Sequence, residues 1–294
     1  MIDYHVHLWP HSDRAEVAEE RLERLADYCA RAAAEGVHEI ALTEHLFRFT
    51  QVRPIADRFW DKEENTALRD QISSYFDFHA TADLDRYVED VLAAKAAGLP
   101  VLLGLEVDYY PGSMEQVAQA LSGYPFDVLL GSVHWLGTWM FDNLEDTVAT
   151  SEWATRGVEG AWRSYVEALE ELAETGTCDV LAHPDLIKLT GRRPSPAFID
   201  ESHARIAEAA ARSRMAAEIS SAGLRKPVGE AYPAGDLLAR FHRRGVPVTI
   251  ASDSHGPDFV GSENARLVGM AREAGYQELR GFRNRVGYPI ELAV

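Results

Sequence analysis

Thiols are scarce in this chain: Cys29 and Cys178 are the only two in 294 residues. Two cysteines in a chain of this length make no disulfide framework, which fits a reducing compartment. Positive charge is also short: 29 Lys and Arg face 47 Asp and Glu, a formal net charge of −18. No basic run offsets that excess, which argues against a nucleic-acid polymer as partner. No apolar run reaches the roughly 18 residues that a membrane span needs. No charged segment leads into a short apolar one in the manner of a secretory signal. Long-period repeats, low-complexity tracts and weak linkers are missing too. The expectation is a cytoplasmic protein with no membrane partner. Its 46% hydrophobic content supports one large domain over residues 1–294.

What is present alternates. Strand signals fall at 2–8, 39–43, 101–108, 128–133, 180–182, 215–219 and 246–252. Helix signals fall at 14–35, 84–97, 116–121, 153–175, 196–213, 235–244 and 264–274. A short strand near 290–292 is ambiguous. Seven strands, each followed by a helix, predict a parallel sheet with helices outside, and the length favours a closed or nearly closed barrel. The stretch 46–81 reads as a polar and aromatic loop, long enough to serve as a lid or substrate wall.

The polar outliers fall where such sheets place active sites, at the carboxyl ends of the strands. The first strand carries His5 and His7, which a period of two puts on one face. The second ends Thr43-Glu44-His45, and the third carries Glu106. The fourth and fifth end in His134 and His183. The sixth carries Glu218, and the seventh ends Asp253-Ser254-His255. Imidazoles and carboxylates without a thiolate pair suit Zn, Fe or Mn, and leave the choice open. Seven histidines and at least two acids are too many for one ion, so two or three divalent ions are expected, with a bridging carboxylate. Three ions would bring about +6 against −2 from Glu106 and Asp253, a locally positive pocket in an acidic protein. A phosphate ester suits it. Lys188 and Arg225, near the same rim, are candidates to grip phosphate oxygens.

At these residues the chain resembles the polymerase-and-histidinol-phosphatase (PHP) superfamily. The marks are His5/His7, Thr43-Glu44-His45, Glu106, His134, His183 and Asp253/His255, spread over residues 2 to about 261. Within that superfamily it is most similar to the histidinol-phosphate phosphatases. Gly104-Leu105-Glu106-Val107-Asp108, Tyr124-Pro125-Phe126-Asp127 and the Ala222-Gly223-Leu224-Arg225 loop with Tyr232-Pro233 carry the narrower likeness. The resemblance implies a distorted (β/α)7 barrel with a trinuclear site and hydrolysis of L-histidinol phosphate in histidine biosynthesis. One ion would take His5, His7, Glu106 and Asp253. A second would share Glu106 with His134 and His183, and a third would take His11, His45 and His255. Two departures stand out. Only Leu8-Trp9-Pro10 separates His7 from His11, and Glu44 replaces the commoner Asp.

The implied chemistry is attack on phosphorus by water activated between metals, with Glu106 and Asp253 holding the ions and His255 a possible proton donor to the leaving alkoxide. Three rivals stay open. An amidohydrolase-type barrel shares the first and last motifs. A nucleotide phosphoesterase could stack a base on the aromatics of 46–81. A structural metal domain would do no chemistry.

Overall fold

A computed structural model describes residues 1–13, 21–56, 59–61 and 63–292. Seven strands form one parallel sheet in chain order: β1 Ile2–Val6, β2 Glu39–Leu42, β3 Val101–Asp108, β4 Val128–Ser132, β5 Val180–Leu181, β6 Ala216–Ser220 and β7 Val248–Ala251. The ends meet. Val6 bridges Ser254 in parallel, and the amide of His7 donates to the Ser254 carbonyl at 2.7 Å. The sheet therefore curls into a nearly closed seven-stranded barrel. Every residue of β1, β3, β4, β5, β6 and β7 is buried. Strands with a filled interior and an outer helical layer have two dry faces, so continuous apolar runs replace alternation. Gly104 permits one tight spot: a Cβ there would lie 2.9 Å from Thr43 on β2 and from the Val128 carbonyl on β4.

Among the described residues, ten α-helices follow the strands or fill their connections: α1 Arg21–Ala34, α2 Arg53–Ala56, α3 Thr66–His79, α4 Leu84–Ala96, α5 Met114–Leu121, α6 Thr147–Arg156, α7 Val158–Glu174, α8 Pro196–Ser213, α9 Gly235–Arg243 and α10 Asn264–Ala274. The helix expected from residue 14 is described only from Arg21, and its first seven residues lie outside the described ones.

Three expectations need correction. Residues 46–81 are not simply loop. They contain α2 and α3, and the Asn65 side chain caps α3 by accepting from the amides of Ala67 and Leu68. The helix expected at 153–175 is two helices, because Gly157 (φ 70°) turns the chain between α6 and α7. Beyond 274 the chain forms an antiparallel hairpin, β8 Glu278–Arg283 and β9 Val286–Glu291. Its two turn residues, Asn284 and Arg285, both have positive φ. Such a turn is usually marked by Asn-Gly, and Arg at the second place hid it.

Candidate metal centre

The barrel gathers the rim residues. His5 and His7 project from one face of β1, with ring centroids 4.9 Å apart. Glu106 and Asp108 are two apart on β3 and share a face. Every one of His5, His7, His45, Glu106 and His183 is buried, and buried acids and imidazoles need partners.

Their distances say what kind. Two donors each ~2.1 Å from one ion at a tetrahedral angle lie about 3.4 Å apart. His5 Nε2 and His7 Nε2 stand 3.3 and 3.5 Å from Glu106 Oε2, and His7 Nε2 stands 3.4 Å from Asp253 Oδ1. On the other oxygen, His134 Nε2 and His183 Nε2 lie 3.3 and 2.9 Å from Glu106 Oε1. Nε2 of His45 and His255 approach to 3.2 Å. Three sets of ligand atoms are tight enough to hold an ion: His5, His7 and Glu106; His45, Glu106 and His134; His7, His45 and His255. His5 Nε2, both ring nitrogens of His7, His45 Nδ1 and Glu106 Oε2 are buried without a hydrogen bond. An apolar core would not tolerate that many unsatisfied atoms facing one another, whereas cations between them satisfy all. The donor set fits a metal site.

A second layer orients the first. His5 Nδ1 lies 2.7 Å from Glu218 Oε2, and His134 Nδ1 lies 2.6 Å from Asp108 Oδ1. With the proton on Nδ1 donated to a carboxylate, each Nε2 lone pair is free to ligate. Two ligands sit in strained backbone: Asp253 has φ 51° and His183 φ 26°. Non-glycine residues held there cost roughly 1–3 kcal/mol each. The surroundings hold them: the His183 amide donates to Glu218 Oε1 at 3.2 Å, and Arg225 donates to the Asp253 carbonyl at 3.1 Å.

Electrostatics centre on Glu106. Burial alone would raise its pKa, but His5, His134 and His45 and the hydrogen bond from His183 outweigh burial and hold it well below the usual range. Burial lowers the pKa of His134, but Glu106 and Asp108 more than reverse this and push it up to about 10. Burial lifts Asp108 to about 6 despite His134. His255 is held down to about 3 by burial and the charge of His7, so it is neutral at pH 7, the form in which imidazole ligates.

Nearly all the expected ligands converge. His5, His7, His45, Glu106, His134, His183, Asp253 and His255 share the centre. His11 joins none of the three tight sets, but its ring lies 4.1 Å from that of His255 and 5.0 Å from that of His45. Arg225 reaches the rim, where its guanidinium donates to the carbonyls of Ser252 and Asp253 and lines a cavity of about 260 Å³ with His183 and His255. Lys188 does not. It is fully buried, 2.8 Å from both Asp185 Oδ2 and the Ala231 carbonyl, and lies outside that cavity. The lysine that does line the site is Lys226, next to Arg225. Asp108 and Asp142 were missed as site residues, and Glu218 was placed at the rim without a role. Period two on β3 after Glu106 could have found Asp108.

A larger cavity of about 740 Å³ opens beside His45 and His134. Phe47, Tyr75 and Trp135 form one wall, and Asp142, Glu145 and Lys226 line it as well. Burial raises the Asp142 pKa against the pull of His134 and Lys226.

Comparison with known proteins places this arrangement. A family model described as the PHP domain matches residues 3–222. A probable histidinol-phosphatase of Deinococcus radiodurans is 37% identical over 210 residues, covering 70% of this chain and 78% of that one. One of Schizosaccharomyces pombe is 24% identical over 250 residues, 81% of this chain and 77% of its own. Two solved structures share the fold. The histidinol phosphate phosphatase of Lactococcus lactis, complexed with zinc, L-histidinol and phosphate, superposes with a TM-score of 0.67 at 22% identity, covering 98% of both chains. A putative histidinol phosphatase of Listeria monocytogenes gives 0.72 at 21% identity, covering 90% of this chain and 99% of that one.

Proposed function

This chain belongs to the PHP domain family, and we propose on that premise that it is a metal-dependent phosphoric monoester hydrolase acting on L-histidinol phosphate. The products are L-histidinol and phosphate, a step of histidine biosynthesis. One observation carries the reading: a carboxylate-bridged set of ligand atoms at ion-sized spacing opens into a cavity with aromatic and acidic walls. The substrate has matching parts. Its imidazole suits Phe47, Tyr75 and Trp135, its ammonium suits Asp142 and Glu145, and its phosphate suits the cationic rim.

Three divalent ions are assigned. His5, His7, Glu106 and Asp253 would hold the first; Glu106, His134 and His183 would hold the second; His11, His45 and His255 would hold the third. Zinc is the preferred identity, since the Lactococcus relative was solved with zinc. When bound, such ions lower the pKa of water and neutralise charge on phosphoryl oxygens. The chain's own residues do the rest. Glu106 stays ionised and shares its two oxygens between neighbouring positions. Arg225 and Lys226 supply donors to the phosphate oxygens. Asp108 and Glu218 hold a proton on Nδ1 of His134 and His5 and so turn each Nε2 toward the metal position. His255 acts as a ligand, and water rather than His255 protonates the departing alkoxide. Residues 46–81, carrying α2 and α3, wall the substrate as a lid within a single domain of residues 1–294.

The deciding experiment measures metal content of the purified protein and phosphate release from L-histidinol phosphate, nucleoside monophosphates and a generic aryl phosphate, beside an amide and lactone panel. Preferred turnover of L-histidinol phosphate that chelation abolishes is expected. Preference for a nucleotide, an amide or a lactone ends this reading.

A further inference from the structure

Arg48 closes a short 3₁₀ turn, Leu46–Arg48, directly after His45. It is fully buried and lines neither cavity of the site. Its guanidinium is directed at the backbone of one loop. Nη1 donates to the Asp13 carbonyl at 2.9 Å, and Nη2 donates to the carbonyls of Pro10 at 2.8 Å and Trp9 at 3.3 Å. Nε faces Glu44 Oε1 at 3.1 Å. The other oxygen of Glu44 accepts from the amides of Leu8 and Trp9 at 3.0 and 3.3 Å. One ion pair thus satisfies polar backbone groups at both ends and in the middle of residues 8–13, and Arg24 takes the Leu8 carbonyl.

That loop has little of its own. A single turn bond, from the Asp13 amide to the Pro10 carbonyl at 3.1 Å, is its internal backbone pairing. It is also the whole connection from β1 to His11, and only three residues long before that histidine. Buried ion pairs are weak sources of stability, because desolvation offsets most of the attraction. A rigid fork with five N–H donors is, however, well suited to fixing several carbonyls at once, which an ammonium is not. What the fixed loop presents is the His11 ring, stacked 4.1 Å from His255 and 5.0 Å from His45.

We propose that Arg48, braced by Glu44, is a positioning residue that sets the loop 8–13 so that His11 completes the third metal position with His45 and His255. It replaces, by side-chain bonds to the backbone, the reach that a longer connection would supply. The inference rests on reading those three histidines as ligands of one ion.

The test uses the full chain as parent, Arg48→Met, Arg48→Lys and His11→Ala. Bound zinc per chain is counted after saturation and desalting, and amide hydrogen exchange is followed in the metal-free proteins. Arg48→Met should lose one zinc per chain and keep the others. Its amides at 8–13 should exchange about tenfold faster or more, with β3 and β4 unchanged. Arg48→Lys should show the same defect, since one ammonium cannot span these acceptors. Protection of 8–13 equal to the parent in Arg48→Met overturns the proposal, and so does loss of protection that spreads to β3 and β4. Full zinc content in Arg48→Met with a loosened loop overturns it as well. Full zinc content in His11→Ala instead overturns the ligand reading beneath it, and the exchange data show that failure separately.

Discussion

Acids are buried or half-buried at both ends of the barrel, and the two ends treat them differently. At the amino-terminal end, Asp127 accepts from the Leu103 amide at 2.9 Å, the Asn284 amide at 3.3 Å and the Lys95 ammonium. Asp179 accepts from the Leu129 amide at 2.9 Å and the fork of Arg285 at 2.9 and 3.0 Å. Glu39 takes the Tyr4 hydroxyl and Arg283. These acids staple the β8–β9 hairpin to the strand starts. At the carboxyl-terminal rim, Glu106 is surrounded by imidazoles, and its Oε2 has no hydrogen bond. Burial does not separate Asp127 from Glu106; satisfaction does. A buried acid with matched donors is structure, and a buried acid among unmatched acceptors is a place for a cation.

The contrast breaks most sharply at Glu106. Glu106→Gln removes the shared charge, so metal content and turnover should both fall, turnover by roughly 10³-fold or more. The apo protein should unfold at a lower urea concentration, because the imidazoles that hold Glu106 ionised lose their counter-charge. Retained metal together with retained turnover would make Glu106 a structural acid after all. Asp127→Ala should do the reverse. It strands the Leu103 amide and the Lys95 ammonium, costing about 3 kcal/mol by urea denaturation, while turnover per folded molecule stays at the parental value. A fall in kcat of the folded fraction would blur the distinction between the ends.

Asp108 sharpens the comparison, because it is half-matched inside the rim: Oδ1 meets His134 Nδ1 at 2.6 Å, while Oδ2 is buried without a hydrogen bond. Its partner is a ligand, so Asp108→Asn should act through His134. Turnover or metal affinity should fall about 10–100-fold with little loss of stability. The lysines give a smaller effect. Lys226→Met should raise KM about tenfold without touching kcat, as loss of one exposed phosphate contact would. Lys188→Met should leave KM unchanged in whatever fraction folds, since its ammonium serves Asp185 and the Ala231 carbonyl.

The sequence carried the barrel well where strands are long and bounded by turn residues: the expected 101–108 is β3 to the residue. The rim was legible for the same reason, since polar residues at the ends of buried strands have little other purpose. Partner direction was not legible. Nothing in the order of residues says that Lys188 turns inward to Asp185 while Lys226 faces the cavity, because a 3₁₀ turn decides it. The break at Gly157 was hidden inside one long helical pattern, and the role of Asp108 and Glu218 shows only once three dimensions set them 2.6–2.7 Å behind the imidazoles.

A buried imidazole on the wall of the larger cavity, outside the ligand cluster, tests the rule at its smallest scale. His79, in the last turn of α3, is buried against Phe47 and Tyr75, and its Nδ1 has no partner. Burial followed by the charge of Arg48 lowers its pKa to about 4, and the charge of Glu44 offsets only a smaller part. The unfolded chain, with an ordinary histidine near 6.5, therefore binds the proton first as pH falls. Stability is intact above about 6.5 and is lost progressively down to about 4, where the folded state also takes the proton. His79→Phe should remove about 1–2 kcal/mol of that acid sensitivity and leave stability at pH 8 nearly unchanged, as urea midpoints at pH 8, 6 and 5 would show. Equal pH slopes in parent and variant would mean that His79 finds a partner on protonation, and that unmatched burial alone does not set its behaviour.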